Sequence, residues 1–408
     1  MSLNLDFVRS QFPAFASPVL SSHAFFENAG GSYPCQQVVD RLHRFYLDRK
    51  VQPYGPYPGA TAGGAEMDEA RTRLAAMMNV APQAVSFGPS TSANTYVLAQ
   101  AVRQWLKGRE AAIIVTNQDH EANSGVWRRL EGEGVEVREW RIDPATGSLN
   151  PEDLPDLMAD GRVAMLAFPH CSNVIAEIND VAAISAIARA HGVRVVVDGV
   201  SYAPHGFPDI PALGCDVYLF SAYKTYGPHQ GIMVLNGDWG MELPGQAHFF
   251  NHGTLYKRHT PAGPDHAQIA ACAGMADYID TLAEAHGITG DAAARNRGVH
   301  DLMRAQECAV IAPLLSYLSG RNDLRLLGPA QAERRAPTVA VELNRPAEPV
   351  SEELGRRGIA CWAGDFYAVR PLTALGIDLD KGVLRMSATH YTSAEEVSRL
   401  ITALDQVL

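Results

Sequence analysis

Six short apolar runs set the architecture of this chain: AVSF from 84, AAIIVT from 111, VAMLAFP from 163, VRVVVD from 193, DVYLF from 216 and GIMVL from 231. Between them lie stretches with helical periodicity, clearest in AEMDEARTRLAAMMNV and NDVAAISAIARAHG. Strand alternating with helix is a βαβ pattern. The runs are continuously apolar rather than alternating with polar residues, so both faces of the sheet they form must be covered. The prediction is an α/β protein with a mainly parallel sheet between helices. At 408 residues, 47% of them hydrophobic, the chain is long enough for two domains.

Charge then narrows the partners. A net charge of −11, with no lysine or arginine cluster, does not suit a phosphate backbone, so nucleic acid is set aside. No apolar run approaches the roughly 20 residues needed to span a bilayer, and MSLNLDFVRSQFP lacks a basic segment followed by an apolar one. No membrane partner is expected, and the cytoplasm is the expected location. The cysteines, at 35, 171, 215, 272, 308 and 361, form no CxxC, so neither a disulfide framework nor a metal site is expected.

Sheets of this kind bind ligands beyond the carboxyl ends of their strands. After AVSF comes GPSTSANTY, a Gly/Ser/Thr loop entering a helix, where the hydroxyls of Ser90, Thr91 and Ser92 and free backbone N–H groups suit a phosphate. His120 follows AAIIVT, Asn173 follows VAMLAFP, and Asp198 closes VRVVVD. DVYLF delivers Ser221, Tyr223 and Lys224. An ammonium beside a buried strand must be paired, neutralised or used. Each element alone has an ordinary structural explanation, such as a helix cap or a solvated side chain. Their coincidence at one crevice matches pyridoxal phosphate, whose aldehyde needs a lysine, whose ring nitrogen needs an acid, and whose phosphate needs hydroxyls and N–H groups. Lys224 and Asp198 fill the first two places, with His120 to stack on the ring and Asn173 to bond its phenolic oxygen. No GxGxxG follows an early strand and no GxxxxGK[ST] is present, so dinucleotides and nucleoside triphosphates fit less well.

The segments DHEANSGVW, HCSNVIAEINDV, DGVSYAPHGFPDIPALGCDVYLFSAYKTYGPHQG and LRMSATHYTSAEEVSRLITAL resemble, in order and spacing, the class V aminotransferase group of fold-type I pyridoxal phosphate enzymes. That group includes the cysteine desulfurases. The resemblance runs from FFENAGG to the C-terminus and implies a Schiff base at Lys224, ring-nitrogen pairing by Asp198, stacking by His120 and an oxygen contact from Asn173. It further implies phosphate contacts from Thr91, Ser92, Ser221 and Tyr223, and a homodimer with shared sites in which Thr254 reaches the partner's phosphate. Arg385 falls where the group's substrate-carboxylate arginine lies, and a guanidinium grips a carboxylate by two bonds. A seven-stranded sheet in a large domain over 21–260 is implied, with a smaller α/β domain over 261–408, joined by 1–20, bringing Arg385 and Tyr367 over the site. The boundary is read at the Pro/Gly-marked TPAGPDHAQ. YGPYPGATAGG, 54–64, reads as a loop, at the active site or on the plain surface.

Departures from the group bear on the reaction. Desulfurases carry a cysteine on a loop that reads like GHHCA; here the stretch is GDFYA, and Tyr367 stands in the thiol's place. Cys361, in GIACWAG, reads as a buried strand residue, so persulfide chemistry is disfavoured. Ser201 replaces a frequent glutamine, and Tyr223 an imidazole. What remains is a pyridoxal phosphate enzyme acting on a small amino acid, first as an aminotransferase. A β-eliminating C–S lyase, a racemase and a cofactor-binding protein without turnover are the alternatives.

Overall fold

The computed structural model describes residues 2–261, 263 and 265–408, so the boundary stretch TPAGPDHAQ lies partly outside the described residues, at 262 and 264. Seven strands form the large sheet: β1 (Val85–Gly88), β2 (Ala112–Thr116), β3 (Glu136–Trp140), β4 (Val163–Pro169), β5 (Arg194–Asp198), β6 (Val217–Ser221) and β7 (Gly231–Leu235). Their order is β1-β7-β6-β5-β4-β2-β3. Only β7 runs against its neighbours; the pairs from β6 to β3 are all parallel. All six predicted runs are strands. The seventh, β3, reads EVREW; it is a half-exposed edge whose charges hide it from a search for apolar runs and guard it against pairing with another chain.

Alternate residues of each strand enter different cores. Ile113, Val115, Met165, Ala167, Val196 and Val217 pack with Leu98, Val102 and Trp127 of the helices Thr91–Leu106 and Glu121–Arg128. Ala112, Ile114, Leu166, Phe168, Val195 and Val197 face the other way, into a core shared with the helices Gln36–Asp48, Pro58–Met77 and Ala273–Ala285. This two-sided burial is why the central positions of the runs are apolar on both faces, with polar residues such as Arg194, Thr116 and Asp198 mostly at the strand ends.

A second, antiparallel sheet, in the order β10-β11-β9-β8, comprises β8 (Leu324–Leu326), β9 (Thr338–Leu343), β10 (Trp362–Gly364) and β11 (Val383–Ser387). The N-terminal segment joins it: Ala24–Phe25 pairs with Ile359–Ala360, and Glu27 bridges to Ser387. Helices His266–Ala271 and Ala273–Ala285, just past the expected boundary at 261, pack into the large-sheet core. The long helix Ala292–Ser319 spans the change, with Val299 and Met303 in that core and Val310 to Leu318 in the core of the small sheet. A Pro/Gly stretch marks a loop; it does not report which core the next helix joins.

The segment YGPYPGATAGG is corrected from loop to helix over most of its length, because Pro58 opens the 20-residue helix Pro58–Met77. Proline is preorganised for the first helical position, where its missing N–H costs nothing. The glycines are there for proximity: Gly63 faces the Phe45 ring and Gly64 the Tyr54 ring, and a Cβ on Gly64 would overlap Tyr54.

One glycine shapes the end of the sheet. Gly231 starts β7 in register with Gly88 and Ser221, and a Cβ there would overlap the backbone of Ser90 and Thr91. Because backbone atoms cannot swing aside as a side chain can, Gly231→Ala should lose at least about 1–3 kcal/mol of stability. A urea denaturation midpoint equal to that of the parent protein would contradict this.

Candidate active site

β1 and β6 are both antiparallel to β7 and therefore parallel to each other, so the carboxyl ends of β1, β2, β4, β5 and β6 share one edge of the sheet. A cavity opens there. Thr91, Ser92, His120, Asn173, Asp198, Ser201, Ser221, Tyr223 and Lys224, all singled out from sequence, line it. Its lining also includes Ser90, Asp119, Cys171 and His229.

One end is built of donors. Ser90 caps the helix Thr91–Leu106 by accepting a hydrogen bond from the Ala93 N–H at 3.1 Å, and the Thr91 and Ser92 N–H groups ahead of it remain to meet a ligand. The Thr91 and Ser221 hydroxyls lie 2.7 Å apart, so one of their protons is used between them and the other remains to donate. An anion is well placed at such a helix start. Tyr223 stacks on His229, with centroids 4.9 Å apart and planes 7° from parallel, which fixes its ring at the cavity wall.

The opposing charges sit deeper. Asp198 is buried at the end of β5 and accepts the Val200 N–H at 2.8 Å. Burial pushes its carboxyl up to about 6, against the pull of the Val200 N–H and the Lys224 charge. Asp119 is a second buried carboxylate in this cavity; Asn123 donates to one oxygen at 2.6 Å, and the other has no partner among the described residues. Its carboxyl lies well above the usual range, first through burial and then through Asp198. The Lys224 ammonium is lowered to about 8 by burial and by the Arg385 guanidinium, with Asp198 and Glu27 acting the other way. His120 caps the helix Glu121–Arg128, its Nδ1 accepting the Ala122 N–H at 3.0 Å. Burial, Lys224 and Arg385 push its imidazole down to about 4, so it is neutral at pH 7 and offers a flat, uncharged face.

Arg385, Tyr367 and Thr254 lie outside this lining. Arg385 is 4% exposed; its Nη2 donates to Glu27 Oε1 at 2.7 Å, and the Phe366 ring covers its guanidinium at 3.8 Å. The GDFYA loop is pinned from below. Asn173 Nδ2 donates to the Phe366 carbonyl at 2.9 Å, Glu121 N–H to the Tyr367 carbonyl at 2.9 Å, and Arg370 pairs with Glu121 at 3.0 Å. Phe366 and Tyr367 hold φ of 54° and 56°, a left-handed turn made without glycine. Tyr367 is 72% exposed and tilts toward His120, with centroids 5.5 Å apart. Thr254 is the N-cap residue of a short helix, Leu255–Arg258.

Neither nearby thiol is poised to react. Cys171 donates to the Ala176 carbonyl at 3.3 Å, and burial pushes its thiol up to about 12. Cys361, expected as a buried strand residue, is half-buried and lies between the strands Ile359–Ala360 and Trp362–Gly364; it is likewise raised to about 12, by burial and then by Glu27. Sequence reading missed Asp119, His229 and Glu27. Asp119 was visible beside His120 in NQDHE, and His229 in GPHQG; Glu27 carries no such local signal, because its partner Arg385 is 358 residues away.

The chain matches the sequence profile of the aminotransferase class-V family over residues 24–400. It is 30% identical to the aminotransferase-like protein FGM3 of Gibberella zeae, over 100% of this chain and 99% of that one. It is 28% identical to a cysteine desulfurase of Serratia proteamaculans, again over 100% and 99%. The apo cysteine desulfurase of Thermococcus onnurineus NA1 superposes with a TM-score of 0.85 at 20% identity, covering 100% of this chain and 98% of that one. The cysteine desulfurase CsdA of Escherichia coli gives 0.81 at 22%, covering 100% and 99%. At these identities the likeness shows the fold, and it is the fold-type I arrangement expected from the sequence.

The lowered Lys224 ammonium has a direct readout. A lysine amine reacts only when neutral, and its neutral share grows as pH rises through its pKa. Trace labelling with an amine-directed reagent, resolved by peptide mass spectrometry, should show Lys224 half-reactive near pH 8. Exposed lysines should titrate near about 10.4. A Lys224 midpoint at the exposed value would contradict the charge arrangement described above.

Proposed function

The chain belongs to the aminotransferase class-V family, and on that premise we propose that it is a pyridoxal-phosphate-dependent enzyme that acts at the α carbon of a small amino acid, as an aminotransferase. The observation that carries this reading is the placing of Lys224 and Asp198 at the ends of adjacent strands, β6 and β5, in a cavity whose other end is the Ser90–Ser92 helix start. The donor set fits the cofactor. Lys224 would hold its aldehyde, Asp198 its ring nitrogen and Asn173 its phenolic oxygen, while Thr91, Ser92, Ser201, Ser221 and Tyr223 would meet its phosphate and rim. When bound, pyridoxal phosphate supplies an aldehyde that takes an amine and a ring that accepts the electron pair left at the α carbon.

The chain's own groups do the rest. Asp198, ionised above its midpoint of about 6, keeps a proton at the ring nitrogen by its charge. His120 closes one face and excludes water from it. Lys224 Nζ, with a midpoint near 8, is a base strong enough to take a carbon-bound proton and weak enough to give it back at pH 7 to 8. Arg385 would orient the substrate through its carboxylate. The inert state of Cys171 and Cys361 supports a reaction without a persulfide.

A homodimer with shared sites belongs to the same reading. Phe249 and Phe250 are 84% and 70% exposed close to Thr254, and exposed aromatics of this kind mark contact surfaces. Unpaired cysteines, four of the six buried, accord with a cytoplasmic location. A division into a cofactor-holding part and a smaller part bearing Arg385 and Tyr367 is likewise proposed.

Borohydride reduction of the protein loaded with pyridoxal phosphate should fix the cofactor on the Lys224 peptide and no other. Lys224→Ala should abolish this fixation and lower turnover by about 10²–10⁴-fold. Asp198→Ala should retain fixation and still be nearly inert. Cofactor fixed on another lysine would overturn the assignment.

The reaction is tested by incubating the protein with single amino acids and assaying keto acid, ammonia and sulfide separately. Keto acid formed only when an amino acceptor is present is the expected result. Acceptor-independent ammonia would mean elimination instead, and loss of optical purity without keto acid would mean racemisation. A loaded protein that converts no amino acid would leave cofactor binding without turnover.

A further inference from the structure

Arg385 is the arginine proposed to take the substrate's carboxylate, yet a carboxylate of this chain already holds it. Glu27 Oε1 accepts from Nη2 at 2.7 Å, and Nη1 is turned to the Asn173 carbonyl at 3.4 Å. Phe366 covers the guanidinium plane, and the side chain is 4% exposed and outside the cavity lining. Two polar atoms of the pair, Arg385 Nε and Glu27 Oε2, are buried without hydrogen-bond partners among the described residues. A pair kept only for stability would have these atoms satisfied, because a buried polar atom without a partner is costly.

The backbone is shaped to put Glu27 there. Its strand segment bridges to Ser387 at the end of β11, two residues beyond Arg385, so Glu27 arrives beside the strand that carries Arg385. Three residues on, a Cβ at Gly30 would overlap the Glu27 carboxylate. Glycine at 30 therefore leaves room for the carboxylate to turn toward Arg385.

Charge counting gives the consequence. At Arg385 itself one guanidinium is met by one carboxylate, that of Glu27. With Glu27 in place this pair has no net positive charge to draw in an anion. A free α-carboxylate must share or displace the bond from Glu27 and be stripped of water as it does so, whereas a neutral amide or ester group faces no such competition.

We propose that Glu27 is a specificity-determining residue that fills the carboxylate subsite of Arg385, so that the site takes an amine bearing a masked, neutral carboxyl group as readily as the free amino acid. The proposal rests on Arg385 being the carboxylate-binding group of the functional reading. The substrate class it adds is amino-acid amides and esters.

Propionate and propionamide, which lack an amine and cannot react, are suitable probes for the cofactor-loaded protein by ligand-observed NMR titration. The parent protein should bind the two within about threefold of each other. Glu27→Gln should tighten propionate by about tenfold or more and leave propionamide unchanged, since removal of a neighbouring anion favours an incoming one. Gly30→Ala, which pushes the carboxylate away without removing it, should shift propionate in the same direction. Adding Arg385→Ala to Glu27→Gln should erase the gain. A parent protein that prefers propionate by about tenfold, or a Glu27→Gln protein within about twofold of the parent, overturns the proposal. A gain that survives loss of Arg385 overturns the role given to Arg385 as well. A protein that never takes up cofactor is told apart by its failed borohydride fixation, and that failure strikes the functional reading itself.

Discussion

Lys224 feels charges of opposite sign, the Asp198 carboxylate and the Arg385 guanidinium, in a crevice mostly shielded from water. In such a place an ammonium and a carboxylate are each unfavourable alone. The lowered ammonium of Lys224 and the raised carboxyl of Asp198 are the mark of that tension. Groups whose midpoints are drawn toward neutrality are what proton transfer at carbon requires. Much of the surrounding structure serves to keep this arrangement in register. Asp198 is tied to the Val200 N–H, and its own carbonyl accepts the His170 N–H at 2.8 Å, which fixes the segment that carries Cys171 and Asn173.

The topology gathers these groups without long-range design of each one. Parallel strands end at one edge, so every residue that follows a run is delivered to the same crevice. The single reversed strand, β7, lets β1 join that edge, and with β1 comes the helix start at Ser90. Gly231 is the point where β7 passes close to that start. The small sheet then places its own loop on the crevice, held through Phe366 and Tyr367 by Asn173 and Glu121. In the desulfurases that the chain resembles, the corresponding loop carries a thiol. Here it presents aromatic rings, one over Arg385 and the other beside His120, and the nearby thiols are held protonated by burial.

Much of this was legible in the sequence because it is local. A run such as VRVVVD shows its strand, its burial and its terminal acid within six residues, and SAYK shows the lysine directly after its strand. What escaped was either masked or distant. EVREW is a strand whose charges belong to an edge, so no apolar run announced it. PGATAGG is helical from Pro58 on, and Gly63 and Gly64 are there because they meet the rings of Phe45 and Tyr54, a packing demand that composition alone reads as a loop. Glu27 and Arg385 meet only through the pairing of the N-terminal segment with the small sheet, and no spacing rule connects residues so far apart. The role proposed for Arg385 follows from resemblance; that its guanidinium is already paired with Glu27 does not.

The central claim is that one amine, Lys224 Nζ, holds the cofactor while Asp198 faces its ring nitrogen. An electron-density map from crystals grown with pyridoxal phosphate tests this most directly. The account predicts continuous density from Lys224 Nζ to a ring lying between His120 and Asp198, with the phosphate at the start of the Thr91–Leu106 helix. Density for the ring elsewhere, or a Lys224 side chain turned away from it into solvent, would contradict the account.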